Sequence, residues 1–295
     1  MPRINDQILR SIVYLYPSES EAWAGERVGG SGFIAWIESE EPPHGGFYYI
    51  ITASHVVKEG ASPVARFNTP NGATHVISFS PEAWFHHPDG DDVAIAELPV
   101  EEFSRLSLTG VPPALFVDHE LMTRENLGPG DECFFVGRFA AHDGGAERNF
   151  PTVRFGNLAS PVTRIAHHRG FKQESFLVEA RSLSGYSGSP VFIYTAATVN
   201  VNATEVITMA SSEMFLLGLD WSHLDDYEPV LGSDKQTPVD PKEFVRSNSG
   251  MMAVVPAWKI CELLCDEQMV KLRKETTDEI APTIVSLDAQ EREPA

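Results

Sequence analysis

One stretch of the chain indicates both a fold and a chemistry: Gly185-Tyr186-Ser187-Gly188-Ser189-Pro190, followed by the apolar run Val191-Phe192-Ile193-Tyr194. A serine between glycines just before an apolar run is typical of a nucleophile. Serine is a poor nucleophile at its ordinary pKa, so this interpretation requires a base that takes the hydroxyl proton and an acid that orients the base. Pro190 and the β-rich residues after it predict a strand, and not a helix, after Ser187.

Candidates for both partners lie upstream. The β-branched and aromatic run Tyr48-Tyr49-Ile50-Ile51-Thr52 leads into Ala53-Ser54-His55, which predicts an imidazole held at the end of a strand. A second strand is predicted over Asp91-Asp92-Val93-Ala94-Ile95-Ala96-Glu97-Leu98, where apolar residues alternate. The order is histidine, aspartate, serine, whereas α/β-hydrolases run serine, acid, histidine. Neighbouring residues in a strand face opposite sides, so only one of Asp91 and Asp92 can meet His55.

Three motifs resemble the signatures of trypsin-like serine peptidases, which have the chymotrypsin fold. They are Thr52-Ala53-Ser54-His55, Asp92-Val93-Ala94-Ile95 and Gly185-Tyr186-Ser187-Gly188-Ser189-Pro190. Flanking segments extend the resemblance, which is to the prokaryotic intracellular type: Gly30-Ser31-Gly32-Phe33-Ile34, Leu216-Leu217-Gly218-Leu219 and Asn248-Ser249-Gly250-Met251-Met252-Ala253-Val254-Val255-Pro256. The resemblance implies an all-β chain with two six-stranded-type β-barrels and a C-terminal helix.

The resemblance also assigns roles to the motif residues. Ser187 would attack a peptide carbonyl, His55 would act as general base and then acid, and Asp92, selected over Asp91 by the family pattern, would hold the imidazole tautomer. The backbone N–H groups of Gly185 and Ser187 would form the oxyanion hole. Glycine suits position 185, because a residue turning its amide toward the developing charge often needs dihedral angles barred to other side chains.

Substrate contacts are implied by spacing from Ser187. Arg181 falls where the family often has the floor of the pocket for the side chain before the scissile bond. An inward Arg181 would favour an acidic substrate side chain, whereas an outward one would be a solvated surface residue, and the sequence leaves both open. The other candidates flank it or lie on the bordering strand: Ser182, Ser184, Trp221, Ser222 and His223.

Tyr186 departs from the pattern of zymogen-activated members, which carry an aspartate there to pair with a newly cut N-terminus. That ion pair cannot form with a tyrosine, so we expect no N-terminal activation by cleavage. Gln7–Tyr16 is instead predicted to form an ordinary first strand.

The predicted organisation is one peptidase domain over residues 1–275. Its first barrel would cover about 9–115, its second about 125–256 and a closing helix about 256–272, with a flexible tail at 276–295. His55 and Asp92 would come from the first barrel and Ser187 from the second, so the site would lie in the cleft between them. Leu224–Ser247 is predicted to be an acidic, proline-containing loop insertion and a candidate lid or exosite.

Composition bounds the remaining possibilities. A net charge of −20 disfavours nucleic acid and anionic membranes as partners, which leaves a protein or peptide substrate and a possible protein activator. No apolar run is long enough to span a membrane, no signal peptide is evident, and there are only three cysteines, so we expect a cytoplasmic protein.

Neither a cofactor nor a metal site is expected. Cys261 and Cys265, four residues apart, are predicted to be buried small hydrophobes on one helix face. The pairs His86-His87 and His167-His168 are predicted to be surface or loop histidines, because adjacent residues in a strand point apart.

Three functions therefore follow from the sequence, with a serine endopeptidase favoured. A catalytically silent peptidase fold could retain the cleft to bind a partner, since fold alone does not establish catalysis. An esterase on the same fold would differ only in its substrate.

Overall fold

The computed structural model describes residues 3–27, 29–39, 45–167, 169–195, 199–201, 207–209, 213–234, 236–240 and 242–278. Strands dominate these residues and form two β units followed by a helix, which confirms the all-β fold class. Most of the tail predicted over 276–295 lies outside the described residues, as does His168.

The first unit is a seven-stranded antiparallel sheet with the order β5-β4-β1-β2-β3-β7-β6. Its strands are β1 Ile12–Tyr16, β2 Gly30–Glu38, β3 Gly46–Thr52, β4 Val64–Asn68, β5 Thr74–Ser78, β6 Phe85–His86 and β7 Ala94–Glu97. Ala94, Ile95 and Ala96 of β7 are all fully buried, so both faces of this strand are covered, and not one face as the alternation predicted.

The second unit is a closed six-stranded barrel with the order β10-β15-β14-β11-β8-β9. Its strands are β8 Glu132–Gly137, β9 Thr152–Ala166, β10 Lys172–Glu179, β11 Pro190–Tyr194, β14 Met214–Pro229 and β15 Phe244–Pro256, and a separate hairpin of β12 Val199–Val201 and β13 Ile207–Met209 lies between β11 and β14. β11 begins at Pro190, as the sequence predicts.

The helices are short. They are α1 Asp6–Arg10, α2 Glu19–Ala24, α3 Ser54–Val57, α4 His119–Arg124 and α5 Ala257–Leu264, with 3-10 turns at Pro81–Ala83, Val100–Arg105 and Pro113–Leu115. A further helical stretch covers 267–278. No helix among the described residues is long and apolar enough to cross a membrane.

Four sequence predictions about local structure need correction. Residues 7–10 belong to α1, which Asn5 caps by accepting a hydrogen bond from the backbone N–H of Gln7, so β1 begins only at Ile12. His55 lies in α3, just after β3 ends at Thr52.

The predicted insertion at Leu224–Ser247 is a loop only in its middle. β14 and β15 stay paired from Asp225 opposite Asn248 to Pro229 opposite Phe244, so the ends of the segment extend the two strands, and residues 230–243 connect them. Cys265 is exposed and Cys261 only partly buried, because α5 ends at Leu264 and leaves Cys265 at its cap.

The two units share a hydrophobic core. The larger buried cluster joins first-sheet residues such as Phe33 and Ile50 to Phe134, Phe192 and Leu216 of the barrel. A second cluster, around Phe135, Phe176 and Val191, fills the remainder of the barrel. The seam where the sheet meets the barrel is therefore packed, and it contains the segments that carry the sequence motifs.

Candidate active site

The loop that carries Ser187 is attached to the first sheet through Ser31 on β2. The backbone N–H of Ser31 donates to the Ser187 carbonyl at 2.8 Å, and the Ser31 hydroxyl donates to the Gly185 carbonyl at 2.7 Å. A methyl group placed on Gly30 would lie 2.8 Å from Val56 Cγ1 and 3.0 Å from the Ser187 carbonyl oxygen. Gly30 therefore lies in close contact with both the Ser187 loop and α3, the helix that carries His55.

Asp92 contacts His55 through both carboxylate oxygens. The His55 Nδ1 atom lies 2.7 Å from Asp92 Oδ2, and the His55 backbone N–H donates to Asp92 Oδ1 at 2.8 Å. Asp92 is fully buried, whereas the His55 side chain is 21% exposed. The paired contacts with Asp92 fix the orientation of the imidazole.

A second histidine, His167, binds the same carboxylate. Its Nε2 atom lies 3.1 Å from Asp92 Oδ2, and the side chain is buried between Phe171 and Trp221, with ring centroids 4.5 and 4.6 Å away. His167 thus follows β9 in a loop, which is one of the two predicted alternatives, but it is buried and not at the surface. The turn after β9 is folded over the first sheet, which removes the side chain from water.

The environment of Asp92 determines its ionisation. Burial alone would raise the pKa of Asp92, but hydrogen bonds from His167 and His55, together with the charge of His55, hold its pKa well below the ordinary value. The backbone N–H of Asp92 donates to Gln173 Oε1 at 2.9 Å, so the barrel also fixes the main chain here. The carboxylate is ionised and immobile.

Asp91 faces a different set of groups. Its Oδ1 accepts from Gln173 Nε2 at 2.7 Å, and its Oδ2 lies 3.3 Å from His87 Nδ1 and 3.4 Å from Lys259 Nζ. His87 follows β6 in a loop, one of the two predicted alternatives, but it is only 4% exposed and so is not at the surface. Oxygen and nitrogen atoms of His87, Asp89 and Glu262 lie close together, but Lys259 already supplies the positive charge there at 3.0 Å from Glu262.

Gly185 and Ser187 present their backbone N–H groups without an acceptor among the described residues. Gly185 has a φ of 100°, a conformation that suits glycine, and the next amide, that of Tyr186, turns back to the Leu183 carbonyl at 3.1 Å. The loop therefore holds two unoccupied donors beside Ser187, which is partly exposed.

A family model for the trypsin-like peptidase domain matches residues 30–199, more than half of the 295-residue chain. The chain belongs to the trypsin-like peptidase family. Among solved structures, the apo protease domain of MamO from Magnetospirillum magneticum is similar at 16% identity, covering 88% of this chain and 98% of that one with a TM-score of 0.49. An atomic-resolution structure of HBP is similar at 10% identity, 88% and 92% coverage and a TM-score of 0.46. Comparison with curated proteins finds no significant match.

In this member of the trypsin-like peptidase family, Tyr186 is fully buried in the barrel wall. Its hydroxyl lies 2.5 Å from Thr152 Oγ1 and accepts a hydrogen bond from Arg154 Nε at 2.9 Å. Arg154 also donates to the Arg181 carbonyl at 3.2 Å and so joins both ends of the loop before Ser187. At the position where zymogen-activated members carry an aspartate, this chain thus has a tyrosine that is hydrogen-bonded to Arg154 inside the barrel.

The candidate substrate residues have different environments. Arg181 and Ser184 are exposed. Trp221 is buried, donates to Ser175 Oγ at 3.0 Å and covers His167. Ser222 and His223 are partly exposed, and His223 lies 3.5 Å from Asp225.

Asp220, which the sequence analysis did not predict as a site residue, contacts the Ser187 loop. The Gly188 N–H donates to the Asp220 carbonyl at 2.7 Å, and the Asp220 N–H donates to the Ser189 carbonyl at 2.9 Å. Its side chain is fully buried, accepts from Ser182 Oγ at 2.5 Å, and has one oxygen, Oδ1, with no hydrogen-bond partner among the described residues. Burial raises the pKa of Asp220 to about 7, against the lowering effect of Ser182 and nearby His55.

Proposed function

We propose that this chain is a serine endopeptidase that cleaves peptide bonds through an acyl-enzyme. The observation that carries the proposal is the bond between His55 Nδ1 and Asp92 Oδ2 at 2.7 Å, next to the loop of Ser187. An ionised, buried carboxylate on Nδ1 favours the tautomer whose Nε2 can accept a proton. The family membership supports the same function.

Each residue has one task in the proposed reaction. His55 takes the Ser187 proton as Oγ attacks the substrate carbonyl, and later gives it to the leaving amine. Asp92 stays ionised and stabilises the imidazolium. The N–H groups of Gly185 and Ser187 bind the oxyanion, and the loss of one such donor typically costs about 2.7–4 kcal/mol of transition-state stabilisation.

The proposal includes activity without N-terminal cleavage. Tyr186 supports this part, because its bonds to Thr152 and Arg154 hold the loop from within the barrel. Intact-mass analysis of the active protein should show uncut N-terminal residues. Activity that arises only after their removal would contradict this part of the proposal.

Covalent labelling with a fluorophosphonate probe tests the function. We expect the purified protein to be labelled on Ser187, with labelling lost in Ser187→Ala and retained in Ser184→Ala, the exposed serine of the same loop. Mapping of the labelled peptide identifies the modified serine. A wild-type protein that stays unlabelled, both alone and in cell lysate, would contradict the proposal and favour a silent binding module.

Labelling alone does not separate a peptidase from an esterase. Parallel assays with a peptide library and with matched ester substrates make that distinction. We expect Ser187-dependent cleavage of peptides, and hydrolysis confined to esters would contradict the endopeptidase proposal.

A further inference from the structure

His167 links the barrel to the predicted acid of the first sheet. It follows the end of β9 at Ala166, and its backbone N–H donates to the Phe171 carbonyl at 2.8 Å, which closes a tight turn before β10. Phe171 of this turn and Trp221 of β14 stack on the His167 ring, and the backbone N–H of Arg169 donates to it. Gln173 of β10 accepts a hydrogen bond from the Asp92 backbone N–H. Arg169 also pairs with Glu59, which follows α3.

The hydrogen bonds determine the tautomer of His167. The backbone N–H of Arg169 donates to His167 Nδ1 at 3.2 Å, so that nitrogen carries a lone pair and no proton. Nε2 therefore carries the proton in the neutral ring and donates to Asp92 Oδ2 at 3.1 Å. This hydrogen bond from the neutral ring restrains the Asp92 carboxylate and leaves its negative charge available to His55.

We propose that His167 is a positioning residue that orients Asp92 for catalysis from the opposite barrel, a role that rests on the proposed function. Asp92 Oδ2 would then be shared by two imidazoles, of which only His55 moves protons. An aromatic or aliphatic side chain could fill the space between Phe171 and Trp221 equally well. The donor aimed at the carboxylate is therefore the feature that requires a histidine.

Several other charged or titratable groups face this cluster and must be considered in any pH profile. They include Lys58, Glu59, His86, Asp91, Arg169 and Asp220.

The kinetic test compares His167→Leu, which removes the donor, with His167→Gln, whose amide can replace it. We expect His167→Leu to lower kcat about tenfold to a hundredfold with KM nearly unchanged, because a hydrogen bond to a charged group is lost. His167→Gln should recover most of this loss. His119→Leu, at a histidine stacked on Trp258 away from the site, is the matched control and should leave kcat unchanged. Equal kcat in His167→Leu and wild type, or equal losses in the leucine and glutamine variants, would overturn the proposal.

A second readout does not depend on turnover. In a Ser187→Ala background, downfield proton NMR should show the His55 Nδ1–H and His167 Nε2–H signals of two carboxylate-bound imidazoles. His167→Leu should remove the second signal and displace the first, and His167→Gln should return the first toward its original position. An undisplaced His55 signal would overturn the proposal even if the protein proved to be an enzyme, and a displaced one would support it even if no substrate were cleaved. His167→Met serves as the non-donor variant if the leucine variant does not fold.

Discussion

Asp92 is held by four hydrogen bonds that come from both β units. Two are from His55, one is from His167, and one joins its own N–H to Gln173. Asp91, its neighbour in the chain, has none of these contacts with His55 and instead meets Gln173, His87 and Lys259. Only Asp92 can therefore orient His55, because the backbone directs the two adjacent side chains to different partners.

The contrast between these acids gives the first prediction. Asp92→Asn should lower kcat by about 10⁴-fold, because an amide facing Nδ1 favours the wrong imidazole tautomer. Asp91→Asn should lower kcat less than tenfold. Steady-state kinetics with one peptide substrate would measure both, and a larger loss in Asp91→Asn would contradict the assignment of Asp92.

Asp220 gives a prediction for stability against pH. Burial of the carboxyl raises the pKa of Asp220 in the folded protein to about 7, above the ordinary value of 3.8. The folded protein therefore binds the Asp220 proton more tightly than the unfolded chain does. The resulting contribution to the free energy of unfolding is fully present below about pH 4 and is lost as pH rises through about 7. The loss should be roughly 2–4 kcal/mol.

Asp220→Asn should remove most of this dependence. Urea unfolding of the variant at pH 5 and pH 8 should give free energies closer together than those of the wild type. At pH 8 the variant should be the more stable protein. Equal pH slopes in the two proteins would show that Asp220 is ionised at neutral pH.

At the scale of elements, the loop at 185–190 depends on close backbone contact with β2 and β3. Gly188 has a φ of 88°, and a methyl group there would lie 2.1 Å from the Ser31 carbonyl oxygen and 2.3 Å from Thr52 Oγ1. Gly72 has a similar φ of 83° but nothing within 4 Å of the added methyl. The two glycines share their conformation and differ only in the space around them.

This difference predicts unequal effects of the same substitution. Gly72→Ala should cost about 1–2 kcal/mol, the strain of a left-handed alanine. Gly188→Ala should cost more and should lower the rate of fluorophosphonate labelling at least tenfold, because the loop must move away from β2. Urea unfolding and labelling rates measure both effects. Similar labelling rates in the two variants would show that the loop tolerates displacement.

At the scale of the whole molecule, two buried arginines join the sheet to the barrel. Arg66 of β4 and Arg138, just after β8, lie over the ring of Tyr16, at 5.0 and 4.4 Å from its centroid. Asp143 accepts from Arg138 Nε at 2.6 Å, and Arg66 donates to Asn149 and to backbone carbonyls. The seam thus contains two cations and one anion that are all shielded from water.

Asp143→Asn should therefore destabilise the protein by about 3–5 kcal/mol, because it leaves Arg138 buried without its counter-charge. Asp89→Asn, at an exposed acid, should change stability by less than about 0.5 kcal/mol. Urea denaturation of both variants provides the comparison. A small effect of Asp143→Asn would mean that water reaches the seam.

The sequence by itself determined the features that arise from near neighbours. Alternating and β-branched runs predicted the strands, Pro190 predicted a strand after Ser187, and the order of the three motifs indicated the fold class and the family, because backbone propensity and motif spacing are local properties. It did not predict that α1 precedes β1 or that β14 and β15 extend into both ends of Leu224–Ser247, since a helix cap and strand pairing can override composition.

Only the tertiary structure decided which groups surround Asp92 and the Ser187 loop. His167 reaches Asp92 from 75 residues away and Asp220 reaches Ser182 from 38, separations that leave no pattern in the sequence. The burial of His167 was not predicted, because it depends on the stacking of Phe171 and Trp221, and Trp221 comes from a strand far along the chain. Burial and charge pairing are properties of the packed molecule, so they appear only when the two β units meet.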